Sequence, residues 1–521
     1  MEETADTRVN TIPLETKIGK ENASRRQIRG SSVFVVGRLL SLGTNFLTQI
    51  LIVRYLAKSD YGAFAYALSL VTSIETIVTL GLDRAITRFI PIYDEQKDYS
   101  RLFGTIIFVV TLIASLSVGV ILLFFGLKGF ISQNLLLDAQ AVSLLSVLIF
   151  LSPLQAFSNL INGMFAVFSS PKAIFFRRYV FGPGLKILVI LLMIMAHQFV
   201  GFLAIGYTLS GLLLIILFTI WLYRIMKETR LFDHITFKEI KFPIKEVLSF
   251  TVPLLASDVL YMTTGTIGIV MLEHYQNIEA VAALGAVLPL ARMNQVVLAT
   301  FGLLYTPVAS RLFARQDKEG INAFYWQNTV WTAVLSFPIF VMTFSFARPF
   351  TLLLFQERYV SSAAILGVLS IGYYFDAALG QNGLTLKVMN KLRYVTAIYL
   401  AAAVINVTLN LILVPRYGAL GAAIATAGTL ILFNLMKQGG LLLGTGISIF
   451  HPDYRGMYLS IIIGAGGLLL IQVFFTSSVV IFLLAAVVSL AVLRINRDLL
   501  NTKNTFPELM RFAPIRWLIG N

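Results

Sequence analysis

The sequence predicts an all-α polytopic membrane protein with about fourteen transmembrane helices, and two observations carry that prediction. Hydrophobic residues make up 57% of the 521 positions and charged residues only 13%, against a charged share near one quarter in soluble domains, which excludes an ordinary soluble enzyme. The apolar residues also arrive in runs of about 20 or more, the length that crosses a roughly 30 Å hydrocarbon core.

Taken in order, residues 1–31 carry Arg8, Lys17, Lys20, Arg25, Arg26 and Arg29 but no apolar core or small-residue cleavage site. They read as a retained basic cytoplasmic tail, not a signal peptide. Candidate spans follow near 32–57, 61–82, 102–126, 140–168, 174–196 and 199–223, so residues 32–223 form a first half. Residues 248–442 form a second half with spans near 248–272, 280–309, 328–347, 360–386, 392–415 and 418–442. A further pair lies within 457–494, and 495–521 is a second cytoplasmic tail. Weak echoes link the halves: Gly201-Phe-Leu-Ala-Ile-Gly206 opens the sixth span as Gly418-Ala-Leu-Gly-Ala-Ala423 opens the twelfth, and Pro91 and Pro307 follow the second and eighth. Halves of six spans each start on the same membrane side, so they read as parallel repeats with a substrate cavity between them. Pro153, Gly182-Pro183-Gly184, Pro253, Gly380 and Gly383 should break or bend their spans.

The net charge of +15 belongs to topology, not to nucleic acid. A cytoplasmic N-terminus places most of the 41 basic residues in cytoplasmic segments, as the positive-inside rule requires. The heaviest of these, residues 224–247, alternates Arg224, Lys227, Arg230, Lys238, Lys241 and Lys245 with Phe232, Ile235, Phe237, Ile240 and Phe242. It reads as an amphipathic connector whose partner is anionic lipid. There is no cysteine, and His197, His234, His274 and His451 are too scattered to hold a metal. No phosphate-binding loop, nucleophile elbow or metalloprotease motif occurs, so neither an enzyme nor a cofactor is expected.

Ionisable side chains at membrane depth cost about 2.5–3.5 kcal/mol on insertion scales, so each implies a partner or a water-filled cavity. Arg38, Glu75, Lys186, Asp258, Arg292 and Asp376 all fall inside predicted spans. Arg38, Ser41, Asn45 and Thr48 or Gln49 recur at helical spacing as one polar stripe, as do Gln155, Asn159 and Asn162, and Asn406 with Asn410. The expected substrate-binding set is Arg38, Asn45, Gln49, Lys186, Arg292 and Asn406, since guanidinium and ammonium groups with flanking amides suit a phosphorylated substrate. Glu75, Asp258 and Asp376 are expected as coupling-ion sites or as partners of nearby basic groups. The structural alternative is that the asparagines tie helices together and the acids pair with arginine or lysine.

These residues resemble a family. Leu56-Ala-Lys-Ser-Asp-Tyr-Gly-Ala-Phe64, Leu80-Gly-Leu-Asp-Arg84, Arg88-Phe-Ile-Pro91 and the run from Asn406 through Pro415 to Thr426 are similar to the polysaccharide-biosynthesis flippases. That family lies in the multidrug/oligosaccharidyl-lipid/polysaccharide (MOP) exporter superfamily. The resemblance extends to about the end of the twelfth span. It implies twelve core helices in two six-helix lobes arranged as a V, with the last two spans as an addition. It also implies translocation of a polyprenyl-diphosphate-linked oligosaccharide across the cell membrane by alternating access, with polysaccharide polymerases or ligases as partners. Arg38, Lys186 and Arg292 would then meet the diphosphate. The rival within the same fold is an ion-coupled, MATE-like multidrug antiporter, which should prefer a cavity dominated by carboxylates.

Overall fold

In hydrocarbon every backbone N–H and C=O must be satisfied within its own segment or by a neighbour, which favours helix throughout. The computed structural model describes residues 37, 40–134, 138–168, 171–234, 239–447, 451–474 and 478–500, and they contain helices and no strand.

The first elements are α1 (residues 40–55), α2 (Lys58–Thr79) and α3 (Leu82–Glu95). Leu80 and Gly81, both left-handed at φ 51° and 66°, break α2 from α3, yet the two form one 38-residue span. The second span therefore runs past residue 82 to Glu95, with Pro91 inside α3 and not beyond it. After α4 (Tyr99–Asn134), Asp138 caps α5 (Ala139–Leu148) by accepting from Ala141 N at 2.7 Å. Pro153 has no N–H to offer Ile149, and the chain tightens there: Ser152 N bonds Ile149 O at 3.1 Å before α6 (Leu151–Val167) proceeds.

The glycine-proline-glycine break has a similar origin. Pro183 withholds a donor, and between α7 (Pro171–Phe175) and α8 (Gly182–Met195) the helix widens into a π-helical segment, Phe176–Phe181. Then α9 (Val200–Glu228) leads into the connector. Leu231 is buried there, the Phe232 ring lies 5.5 Å from that of Tyr223, and Phe242 is exposed. Its apolar residues thus divide between the bundle and the outside. Ile235, Phe237 and Lys238 lie outside the described residues.

The second half contains α10 (Ile244–Tyr275), α11 (Ile278–Arg292), α12 (Val296–Ala314), α13 (Lys318–Thr343), α14 (Ala347–Phe355), α15 (Ser362–Ala378), α16 (Asn382–Val388) and α17 (Leu392–Thr445). α10 runs unbroken through position 253. A 3₁₀ turn, Met293–Gln295, separates α11 from α12, and Gly380, at φ 65°, lies between α15 and α16. α17 folds back at Gly418 (φ 55°, ψ −132°). Tyr394 Oη donates to Met436 O at 2.6 Å, whereas a straight helix would hold residues that far apart by about 63 Å. The two limbs are therefore antiparallel neighbours, as the expected eleventh and twelfth spans require. The chain ends with α18 (Arg455–Phe474), α19 (Ser478–Ile495) and α20 (Arg497–Leu500).

Among the described residues nine helical segments are long and apolar enough to cross a bilayer, or ten if α13 and α14, bent by 69°, count as one. The sequence expects about fourteen. Part of the difference is that α17 is one continuous segment with two limbs, and that α1 is described only from residue 40. α2 is central to the assembly: it packs on α5 and α6 on one side and on α10 and α11 on the other. α15 lies against α11, α13 and α17, and α18 and α19 dock on α13.

Candidate functional site

Helix breaks determine where polar groups collect. A cavity of about 720 Å³ opens between α1, α2 and α3 on one side and α10 and α11 on the other, with Asn159, Lys186 and Tyr207 at its back. Asn45, Gln49, Glu75, Lys186, Asp258 and Arg292 all line it, so six of the residues expected from sequence converge here. Arg38 lies outside the described residues.

Each arrives by a local cause. Arg292 is the last residue of α11, immediately before the 3₁₀ turn; its Nε donates to Tyr373 Oη at 3.2 Å. A Cβ added to Gly265 would lie 3.4 Å from Arg292 Nη2, so that glycine leaves the guanidinium its space. Glu75 accepts from Asn159 Nδ2 at 2.8 Å, which ties α2 to α6. Lys186 follows the π-helical segment, with Nζ 5.5 Å from the Tyr207 ring centroid. Asp258 pairs with Arg84 Nη2 at 2.9 Å across the two halves, both side chains partly exposed.

Gln49 has a different task. Pro289 leaves the Gly285 carbonyl without its helical donor, and Gln49 Nε2 lies 3.3 Å from that oxygen, 3.3 Å from Ala286 O and 2.8 Å from Tyr61 Oη. It joins α1 to α2 and α11 while lining the wall.

Two expected residues lie elsewhere. Asn406 is fully buried inside the α17 hairpin, where its Nδ2 donates to Thr429 Oγ1 at 3.1 Å and its oxygens accept from Asn410. It holds two limbs together and does not reach the cavity. Asp376 is paired with Lys437 Nζ at 3.2 Å and accepts from Gln295 Nε2 at 2.6 Å, in a buried polar cluster between α15, α17 and the α11–α12 break.

Arg84 and Asp83 also line the cavity, though sequence reading placed them at a span end. Gly81, the break that positions them, was the available signal. The lining among the described residues therefore balances Arg84, Lys186 and Arg292 against Glu75, Asp83 and Asp258. Also among the described residues, no cluster of three or more histidine, aspartate or glutamate side chains could hold a metal ion.

Comparison with known proteins agrees with this architecture. The profile of the family described as polysaccharide biosynthesis protein matches residues 28–313, and the MatE profile matches residues 253–412. The chain is similar to uncharacterized membrane protein MJ1068 of Methanocaldococcus jannaschii, at 21% identity over 77% of this chain and 81% of that one. Its fold is similar to that of a lipid II flippase MurJ in an inward closed conformation, with TM-score 0.68, 14% identity, and coverage of 91% of this chain and 100% of that one. It is also similar to an inward-facing multidrug resistance MATE family transporter of the MOP superfamily, with TM-score 0.66, 14% identity, and coverage of 78% and 94%.

Proposed function

The chain belongs to the polysaccharide biosynthesis protein family, and on that premise we propose that it is a flippase carrying a polyprenyl-diphosphate-linked oligosaccharide from the cytoplasmic to the external leaflet of the cell membrane. The observation that carries this reading is the convergence of Lys186 and Arg292, from opposite halves of the chain, on one cavity. A diphosphate needs cationic donors from more than one side, and a forked guanidinium matches its oxygens. Lys186 and Arg292, one from each half of the chain, are the groups assigned to the phosphates.

In this account both termini are cytoplasmic, as the basic tails require. The halves 32–223 and 248–442 are the two lobes and 224–247 the membrane-surface connector. Substrate enters from the cytoplasm, and relative motion of the lobes exposes it outside. No covalent chemistry is required of the protein. Glu75 and Asp258 are the carboxylates placed to respond to a coupling cation, and delivered product passes to a polymerase or ligase.

A second reading has its own support. The MatE match and three carboxylates in the cavity suit a cation antiporter. Binding in nanodiscs separates the two. The flippase reading expects saturable binding of a polyprenyl-diphosphate saccharide, weakened about tenfold or more by Arg292→Ala or Lys186→Ala, since each removes a charge-assisted hydrogen bond. Binding of a lipophilic drug cation that depends on Glu75 or Asp258, with no preference for the diphosphate, would select the antiporter.

A further inference from the structure

Of the stripe Gln155, Asn159 and Asn162, only Asn159 reaches the central cavity. All three line a second cavity of about 970 Å³ within the first half, bounded by α6, the π-helical segment, α8 and α9. That volume is at the upper end of ligand pockets, roughly 300–1,000 Å³. Asn45, Asp83, Asn159, Lys186 and Tyr207 line both cavities, so the two are contiguous with Lys186 at their junction.

The second cavity is amide-rich. Arg177, 3% exposed, braces its wall: Nη1 donates to Asn162 Oδ1 at 2.9 Å and to Ser158 O at 2.5 Å, and Nη2 to Ser158 Oγ. Its buried Nε makes no hydrogen bond among the described residues, and the guanidinium lies 5.4 Å from the Phe218 ring centroid. Among the described residues Gln155, which is half-buried, makes no hydrogen bond, although a carboxamide carries two donors and an acceptor. Gln155 lines the cavity beside Asn159 and Asn162, and carboxamides, which both donate and accept, match the hydroxyls of a sugar.

We propose that this second cavity is the saccharide subsite, in which Gln155 and the π-helical segment held by Arg177 read the sugar nearest the diphosphate. The inference rests on the flippase reading and deepens it: with phosphates at Lys186, the first sugar attached to them falls in the adjoining cavity. The π-helical geometry is part of the device, since such segments recur at functional sites and here place Arg177 and Lys186 on the same cavity wall.

The test measures nanodisc affinities for bare polyprenyl diphosphate and for polyprenyl diphosphate carrying glucose, galactose, mannose or N-acetylglucosamine. The quantity read is the ratio of the bare to the sugar-linked Kd. In the natural protein at least one sugar should raise that ratio to about tenfold, and Gln155→Leu should return it to near unity, as when a hydrogen-bonding site loses its partner. Gln155→Met, which keeps the side-chain length, serves if the leucine variant fails to fold. Ratios near unity for every sugar, or a ratio untouched by either variant, would overturn the subsite while leaving the flippase standing. Failure of bare and sugar-linked lipids alike to bind would overturn both.

Discussion

Arg54 and Arg358 cap each other's chain segments across about 300 residues of sequence. Arg54 Nε donates to Leu354 O at 2.6 Å and its Nη2 to Leu353 O, at the end of α14. Arg358 returns the contact: Nη1 donates to Leu56 O at 3.0 Å and Nη2 to Val53 O at 2.9 Å and to Arg54 O, at the end of α1. The last carbonyls of a helix lack intrahelical donors and carry the negative end of its dipole, so each guanidinium satisfies groups that would otherwise need water. The pair ties the end of α1, two residues beyond Ile52 on the cavity wall, to the end of α14.

That tie gives the first prediction. Arg358→Ala should open the end that the proposed topology makes external, because it removes several charge-assisted bonds worth about 1.5–3 kcal/mol each. The chain has no cysteine, so Ser69→Cys, on the cavity wall, can be labelled without background. Its modification by an impermeant maleimide added outside should rise about tenfold in the Arg358→Ala background. Equal rates would show that the arginines do not seal the cavity.

Gln356 sits inside the same latch with φ 66° and ψ −176°, a region essentially reserved for glycine. Gln356→Gly should therefore stabilise the closed end by about 1 kcal/mol. A rise in thermal unfolding temperature in detergent would bear this out; a fall would mean that the glutamine side chain contributes more than the backbone strain costs.

Asp376 and Lys437 form a pair with side chains only 13% and 10% exposed. Asp376→Leu or Lys437→Met alone should destabilise by about 3–5 kcal/mol, since each leaves a buried charge uncompensated. The double variant should lose much less. A double-variant loss equal to the sum of the two single losses, measured by denaturation, would show that the pair is not energetically coupled.

Close helix approach supplies a fourth test. A Cβ on Gly62 would lie 2.2 Å from Ile278 O, where α2 meets the start of α11. Gly62→Ala should cost about 1–3 kcal/mol through overpacking at the contact between the halves. Unchanged stability would mean that this contact yields easily.

The helical membrane fold was legible because spans announce themselves by length and apolarity, and the break at Gly380 and the tightening before Pro153 follow directly from residue chemistry. The central cavity was half legible. A mid-span charge signals that a polar setting exists, but not which one: Lys186 and Arg292 reach the cavity, while Asp376 has its own buried partner in Lys437. Asn406 looked like part of a binding stripe, yet its partner Thr429 became visible only once α17 was seen to fold back at Gly418. Arg84 was missed because hydropathy ended its span near Leu82, whereas the chain continues as helix after two left-handed residues, Leu80 and Gly81. Arg177 was missed because its burial depends on a π-helical turn that no periodicity of 3.6 predicts.

The most direct measurement is translocation itself. Proteoliposomes would carry a polyprenyl-diphosphate saccharide, with its appearance in the opposite leaflet read by an impermeant sugar oxidant, for the natural sequence, Lys186→Ala and Arg292→Ala. The account predicts protein-dependent movement that falls about tenfold or more in each variant, matching loss of a phosphate contact. Movement no faster than in empty liposomes, or full activity in both variants, would contradict it.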